Sequence, residues 1–170
     1  GGQATQQSVY SPVYADALML RDRDSDGNGS LDERLWVQQD VQFNVTSLVD
    51  GSGAVAERYG YDPFGAQTVY SPTYSVLASS GYAFTVGFQG LDRDEVTGWN
   101  EADRRWYNPV LGRWVTTDPI LFAGGDNNFY RMVGNNPVNL MDPSGLKGEV
   151  YEFERDRPKN CKCICIDNPE

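Results

Sequence analysis

Histidine is absent from this 170-residue sequence, and cysteine is confined to Cys161, Cys163 and Cys165 near its end. The first absence excludes Ser-His-Asp and Cys-His catalysis and any histidine-ligated metal, because each needs the imidazole. The second means that the body of the fold is not stapled by disulfides. Long hydrophobic runs are missing as well. With 39% hydrophobic residues and a mean hydropathy of −0.54, no segment approaches the ~20 apolar residues of a membrane-spanning helix. Positive charge is scarce: 14 Lys and Arg face 24 Asp and Glu, a net charge of −10. Such a surface repels phosphate backbones, which argues against nucleic acid as a partner, and suits divalent cations. The sequence opens on Gly1-Gly2 rather than Met, as expected of a processed product or an excised piece.

Helical periodicity is also lacking, and 18 Gly and 9 Pro would interrupt it. What is present is β-patterned. Short runs at Val9–Asp22, Arg34–Asp40, Val41–Asp50 and Ala54–Gly65 are separated by Gly, Asp, Asn and Pro clusters, as hairpin strands are. In Phe43–Asp50, strict alternation places Phe43, Val45, Ser47 and Val49 on one face and Asn44, Thr46 and Leu48 on the other. D-G-S-G at Asp50–Gly53 marks a tight turn. One short helix is expected over Asn127–Val133, capped near Asp126 and ended by Gly134.

An acidic loop follows the first run. Asp22, Asp24 and Asp26 stand at alternate positions before Gly27, with Asn28, Ser30 and Glu33 completing D-x-D-x-D-G-x5-E. Short carboxylates at this spacing converge on one ion, Gly permits the bend, and the final Glu supplies two oxygens. The loop resembles that of an EF-hand, which implies Ca2+ held by Asp22, Asp24, Asp26, Asn28, Ser30 and Glu33. Its flanks, L-M-L-R-D and R-L-W-V-Q, pattern as strands, so the expected setting is a β-hairpin. A solvated acidic turn is the alternative, since Asp, Asn, Ser and Gly are common turn residues.

Further along, S-L-V-D-G-S-G-A-V-A-E-R-Y-G-Y-D-P-F-G resembles one unit of the Rhs/YD-repeat family. From Gly90 the chain reads G-L-D-R-D-E-V-T-G-W, R-R-W-Y-N-P-V-L-G-R-W, T-D-P, A-G-G-D-N-N-F-Y, V-G-N-N-P-V-N and D-P-S-G-L. That order is similar to the Rhs repeat-associated core of the same family. The resemblance implies an all-β fold of stacked hairpins, a β-solenoid or spiral sheet, ending in the core. It divides the chain into hairpins at 1–89, core at 90–146 and a variable tail at 147–170. It also implies an extracellular or cell-surface structural module, partnered by its own copies or a larger Rhs/YD chain.

Members of the family cut themselves after the Leu of D-P-x-G-L. Carried over, the bond is Leu146–Lys147, the aspartate pair is Asp118 and Asp142, and Arg113 or Arg131 offsets charge or orients a carboxylate. Paired carboxylates titrate apart, one as base and one as acid. A structural alternative stands beside this, because Asp62-Pro63-Phe64-Gly65 has the same form inside an ordinary repeat, and D-P-x-G is a good type I turn. At the first site Leu121 replaces the family's Gly, and a required positive φ would there displace the carboxylate. Residues 147–170 are too few to bury an enzyme core. Gly148–Asp156 patterns as a strand suited to an exposed sheet edge. The C-K-C-I-C spacing differs from structural zinc sites, and its odd thiol count leaves one for an intermolecular bond or the free state.

Overall fold

The computed structural model describes residues 5–12 and 16–148. The three cysteines and nearly all of the expected tail strand lie outside them. Seven strands form an antiparallel meander: β1 (Gln6–Tyr10), β2 (Leu18–Arg23), β3 (Glu33–Gln39), β4 (Val45–Val49), β5 (Val55–Tyr61), β6 (Gln67–Tyr70) and β7 (Val76–Leu77). A second meander follows, with β8 (Asp92–Arg93), β9 (Asn100–Ala102), β10 (Arg105–Asn108) and β11 (Arg113–Trp114). The all-β expectation is met. The expected helix at 127–133 is not: short 3₁₀ turns at Leu121–Gly124 and Val133–Asn135 flank it instead. Asp126, which should have capped that helix, is bound bidentately by Arg131, and Asn128 makes its own turn with Tyr130.

One local rule builds the larger sheet. Each turn from β3 to β7 opens on Asp40, Asp50, Asp62 or Ser71, whose side chain accepts the N–H four residues on, from Asn44, Ala54, Ala66 or Ser75. The fourth residue closes back on the first carbonyl and takes a left-handed φ: Phe43 at 60°, Gly53 at 85°, Gly65 at 88° and Tyr74 at 67°. This is a type I turn followed by an αL residue, and it fixes hairpin register.

Register shifts then correct the simple alternation in β4. Gln38 pairs with Ser47 and Gln39 with Val45, leaving Thr46 as an extra residue. The bulge turns both Val45 and Leu48 into the core, where each is fully buried, although strict period two puts them on opposite faces.

Two hydrophobic cores result. The first joins Leu18, Leu35, Val45, Leu48 and Tyr59 of the large sheet to Phe84 and Val86 of the connector. The second joins Phe88 and Leu91 to Tyr107, Trp114, Met132 and Val133. Tyr59 and Tyr61, two residues apart on β5, lie on one face. Their ring partners, Phe84 and Phe88 at 6.1 Å each, come from the segment between the two sheets. The Asp62 turn locks the halves together. Tyr107 donates its hydroxyl to the Phe64 carbonyl at 2.7 Å, and a Cβ on Gly65 would stand 2.5 Å from the Phe88 ring.

Candidate functional site

The acidic loop splits its predicted ligands. Asp24, Asp26 and Asp32 bring carboxylate oxygens within 4.8 Å of one another. Asp22 instead takes both arms of Arg34 at 2.7 Å, and Glu33 bridges Arg21 at 2.9 Å and Arg23 at 3.0 Å. Hence two expected end ligands serve as a cross-strand ion-pair ladder between β2 and β3, and the third carboxylate is Asp32, which the EF-hand template passes over. Asp24 accepts N–H groups from Gly29, Gly27 and Asn28, which hold its pKa below the usual range. The Asn28 side chain donates to Asp26, and its carbonyl oxygen accepts the Ser30 N–H.

The two aspartates of the sequence motif come together. Asp118 and Asp142 are buried, and the terminal Nη2 of Arg105 sits 3.0 Å from Asp118 Oδ2 and 3.7 Å from Asp142 Oδ2. The guanidinium therefore bridges the pair. Arg105 lies on β10 with its cation 4.3 Å above the Trp114 ring, donating to the carbonyls of Phe129 and Gly145. Sequence reasoning missed it. The available signal was its place two residues before Tyr107, on the strand face that points inward. Arg131 pairs with Asp126, and Arg113 stacks on Tyr130, so neither of the expected arginines has its ion pair at the aspartates.

The Asp142 turn repeats the hairpin rule in full, and the Asp118 turn repeats its backbone closure. Leu121 N–H closes on the Asp118 carbonyl at 3.1 Å, and Gly145 N–H on that of Asp142 at 3.3 Å. Leu121 takes the left-handed φ of 49° that glycine takes elsewhere. Its effect is strain rather than displacement, since Asp118 still accepts the Ile120 N–H at 2.9 Å and reaches Arg105. Asp142 Oδ1 accepts Leu146 N–H at 3.0 Å, as the repeat turns do, and additionally Lys147 N–H at 3.1 Å. Burial pushes the Asp142 carboxyl up, against those hydrogen bonds and Arg105, and also lowers the Arg105 guanidinium. From the other side, a point 3.1 Å from Asp118 Oδ2 is 3.3 Å from the Leu146 carbonyl oxygen. Those two oxygens are thus no more than 6.4 Å apart, the sum of the two distances. The Leu146–Lys147 peptide donates its N–H to Asp142 and keeps its carbonyl oxygen within 6.4 Å of Asp118 Oδ2, beside a cavity of about 300 Å³ that Arg105, Asp118 and Asp142 line.

The fold and its turns match a known family model, teneurin YD-shell, over residues 31–138. The chain belongs to the YD-shell family. Among YD-shell relatives, toxin subunit YenC2 of Yersinia entomophaga is 35% identical over 115 residues, covering 68% of this chain and 11% of that protein. The tRNA3(Ser)-specific nuclease WapA of Bacillus spizizenii is 30% identical over 145 residues, 84% of this chain and 6% of that protein. The TcdB2-TccC3 crystal structure superposes with a TM-score of 0.66 at 25% identity, covering 83% of this chain and 7% of that one. The chain thus spans about a tenth or less of each relative. The YD-shell match takes in Asp32 and Asp118 and ends before Asp142 and Leu146.

Proposed function

We propose that this chain is the closing end of a larger extracellular YD shell, and that its aspartate pair cuts the Leu146–Lys147 bond to free the segment beyond. One observation supports the second half: the bond's own N–H is held by Asp142, one of two buried carboxylates bridged by the Arg105 cation. The first half is supported by the small share of each relative that the chain spans. The described β1 is an open edge onto which further strands can add. A solved relative described as TcdB2-TccC3 without its hypervariable C-terminal region, with a TM-score of 0.66, also supports a variable segment after such a core.

The chemistry consumes one water. Asp118, held by Arg105 at 3.0 Å, takes a proton from that water, whose oxygen adds to the Leu146 carbonyl carbon. Asp142, biased by burial toward its protonated form, accepts the Lys147 N–H on Oδ1 at 3.1 Å and so carries its proton on Oδ2. From there the proton reaches the nitrogen once addition has made that nitrogen pyramidal and the carboxyl turns as the C–N bond breaks. The products are a Leu146 carboxylate and a Lys147 amine, and solvent resets the two carboxyls. Because burial raises the Asp142 pKa and this carboxyl must carry a proton, the rate should fall as pH rises through that raised pKa.

Asp118→Asn and Asp142→Asn should each slow cutting by at least ~10²-fold, within the usual range for general acid–base groups. The measurement is the fraction cut over time by intact-mass spectrometry. Cutting at the wild-type rate in Asp142→Asn would rule out this assignment.

We further propose Ca2+ at the acidic loop, held by Asp24, Asp26 and Asp32 rather than by the full EF-hand set. The ion would relieve repulsion among carboxylates in an otherwise solvated loop. Chelation with EDTA should lower the thermal midpoint by a few degrees, and excess Ca2+ should restore it. An unmoved midpoint would remove calcium from the account.

A further inference from the structure

Gly124 has no conformational reason to be glycine. It lies in the 3₁₀ turn Leu121–Gly124, and its φ is not among the left-handed ones. Its neighbour Gly125 differs: φ is +81°, and a Cβ there would meet nothing within 4 Å. A Cβ on Gly124 would stand 3.1 Å from Asp118 Oδ2 and 3.3 Å from the Leu146 carbonyl oxygen, tighter than ordinary carbon contacts. The missing side chain is what lets the carbonyl of one buried turn approach the carboxylate of another.

We propose that Gly124 is a positioning residue, which keeps open the gap through which Asp118 delivers water to the Leu146 carbonyl. This rests on the self-cutting reading above. The bound of 6.4 Å admits a single bridging water, at about 2.7–3.2 Å to each oxygen, and the hypothetical Cβ position falls within reach of both oxygens. A methyl group in that gap excludes the water or pushes the carbonyl away by some tenths of an ångström. A misplacement of an ångström can cost ~10²-fold in such reactions, so a tenth of that loss is a reasonable floor.

The adjacent glycines give a double dissociation in the full chain. Gly124→Ala should slow cutting about tenfold or more per folded molecule. The slowing should be equal across the pH profile, and the denaturation midpoint should stay close to wild type. Gly125→Ala should lower the midpoint, because alanine is strained at that φ, while cutting per folded molecule stays at the wild-type rate. If wild type cuts and Gly124→Ala cuts equally fast, the positioning role is overturned and the aspartate chemistry stands. The role is overturned in the same way if Gly124→Ala slows only in proportion to unfolded protein. If wild type does not cut under any pH, the self-cutting reading fails and takes this role with it.

Discussion

Leu121 occupies a left-handed backbone conformation that the same turn gives to Gly53, Gly65 and Gly145, and to Phe43 and Tyr74, with φ at 49° and a side chain about half exposed. The left-handed region costs a non-glycine residue ~1–2 kcal/mol, while glycine adds back some unfolded-state entropy. Leu121→Gly should therefore stabilise the fold by about 0.5–1 kcal/mol, read as a higher urea midpoint at unchanged slope. A lower midpoint would mean that the Leu121 side chain packs more usefully than its exposure suggests. Sequence alone showed the substitution at this turn and singled out Asp118 and Asp142, which the fold brings to one guanidinium. It did not show Arg105, because an arginine in a β-strand carries no mark of what it will face. Only the closure of two distant turns, at 118–121 and 142–145, brings two carboxylates onto its one guanidinium. Asp22 and Glu33 teach the converse. Their spacing fits a calcium loop, yet strand register places arginines within 3.0 Å of both.

Among the elements, the connector between the sheets is held by opposite charges on the large sheet. Glu57 on β5 is fully buried and accepts from Tyr59, from Ser80 at 2.6 Å and from Gly81 N–H at 2.9 Å. Arg21 on β2 donates to the Tyr82 and Ala83 carbonyls at 2.8 and 2.9 Å, and lies over the Phe84 ring. Four consecutive residues are thus tied at one end by a carboxylate and at the other by a guanidinium. Glu57→Ala leaves three donors without an acceptor, which should cost about 2–4 kcal/mol and speed hydrogen exchange at Gly81 above all. Unchanged exchange there would show that the connector is held by its aromatic packing alone. The hairpin order was legible because Asp-led turns and short β-rich runs are local signals. The bulge at Thr46 and the connector's partners were not, because both depend on which strands pair and in which register.

At the scale of the molecule, two meanders share one device, an Asp-led turn with a left-handed fourth residue. The large sheet uses it to make hairpins, and the second core uses it to converge two carboxylates. The Asp62 turn is the clearest contrast. It has the same D-P-x-G sequence, but its carboxylate accepts only Phe64 and Ala66 N–H groups and faces solvent. The proposed chemistry at the second core thus rests on burial, Arg105 and the hydrogen bond from Lys147 N–H to Asp142, and the motif by itself confers none. Composition correctly set the class of fold, since few long apolar runs and many turn residues leave little else. The chain belongs to the YD-shell family and spans about a tenth or less of the relatives it matches. The central claim is that the buried pair cuts one particular bond, and the mass of the small product tests it most directly. After incubation of purified protein at mildly acidic pH, the account predicts a peptide beginning at Lys147 together with a body ending at Leu146. An uncut chain after prolonged incubation across the pH range, or a product beginning at any other residue, would contradict it.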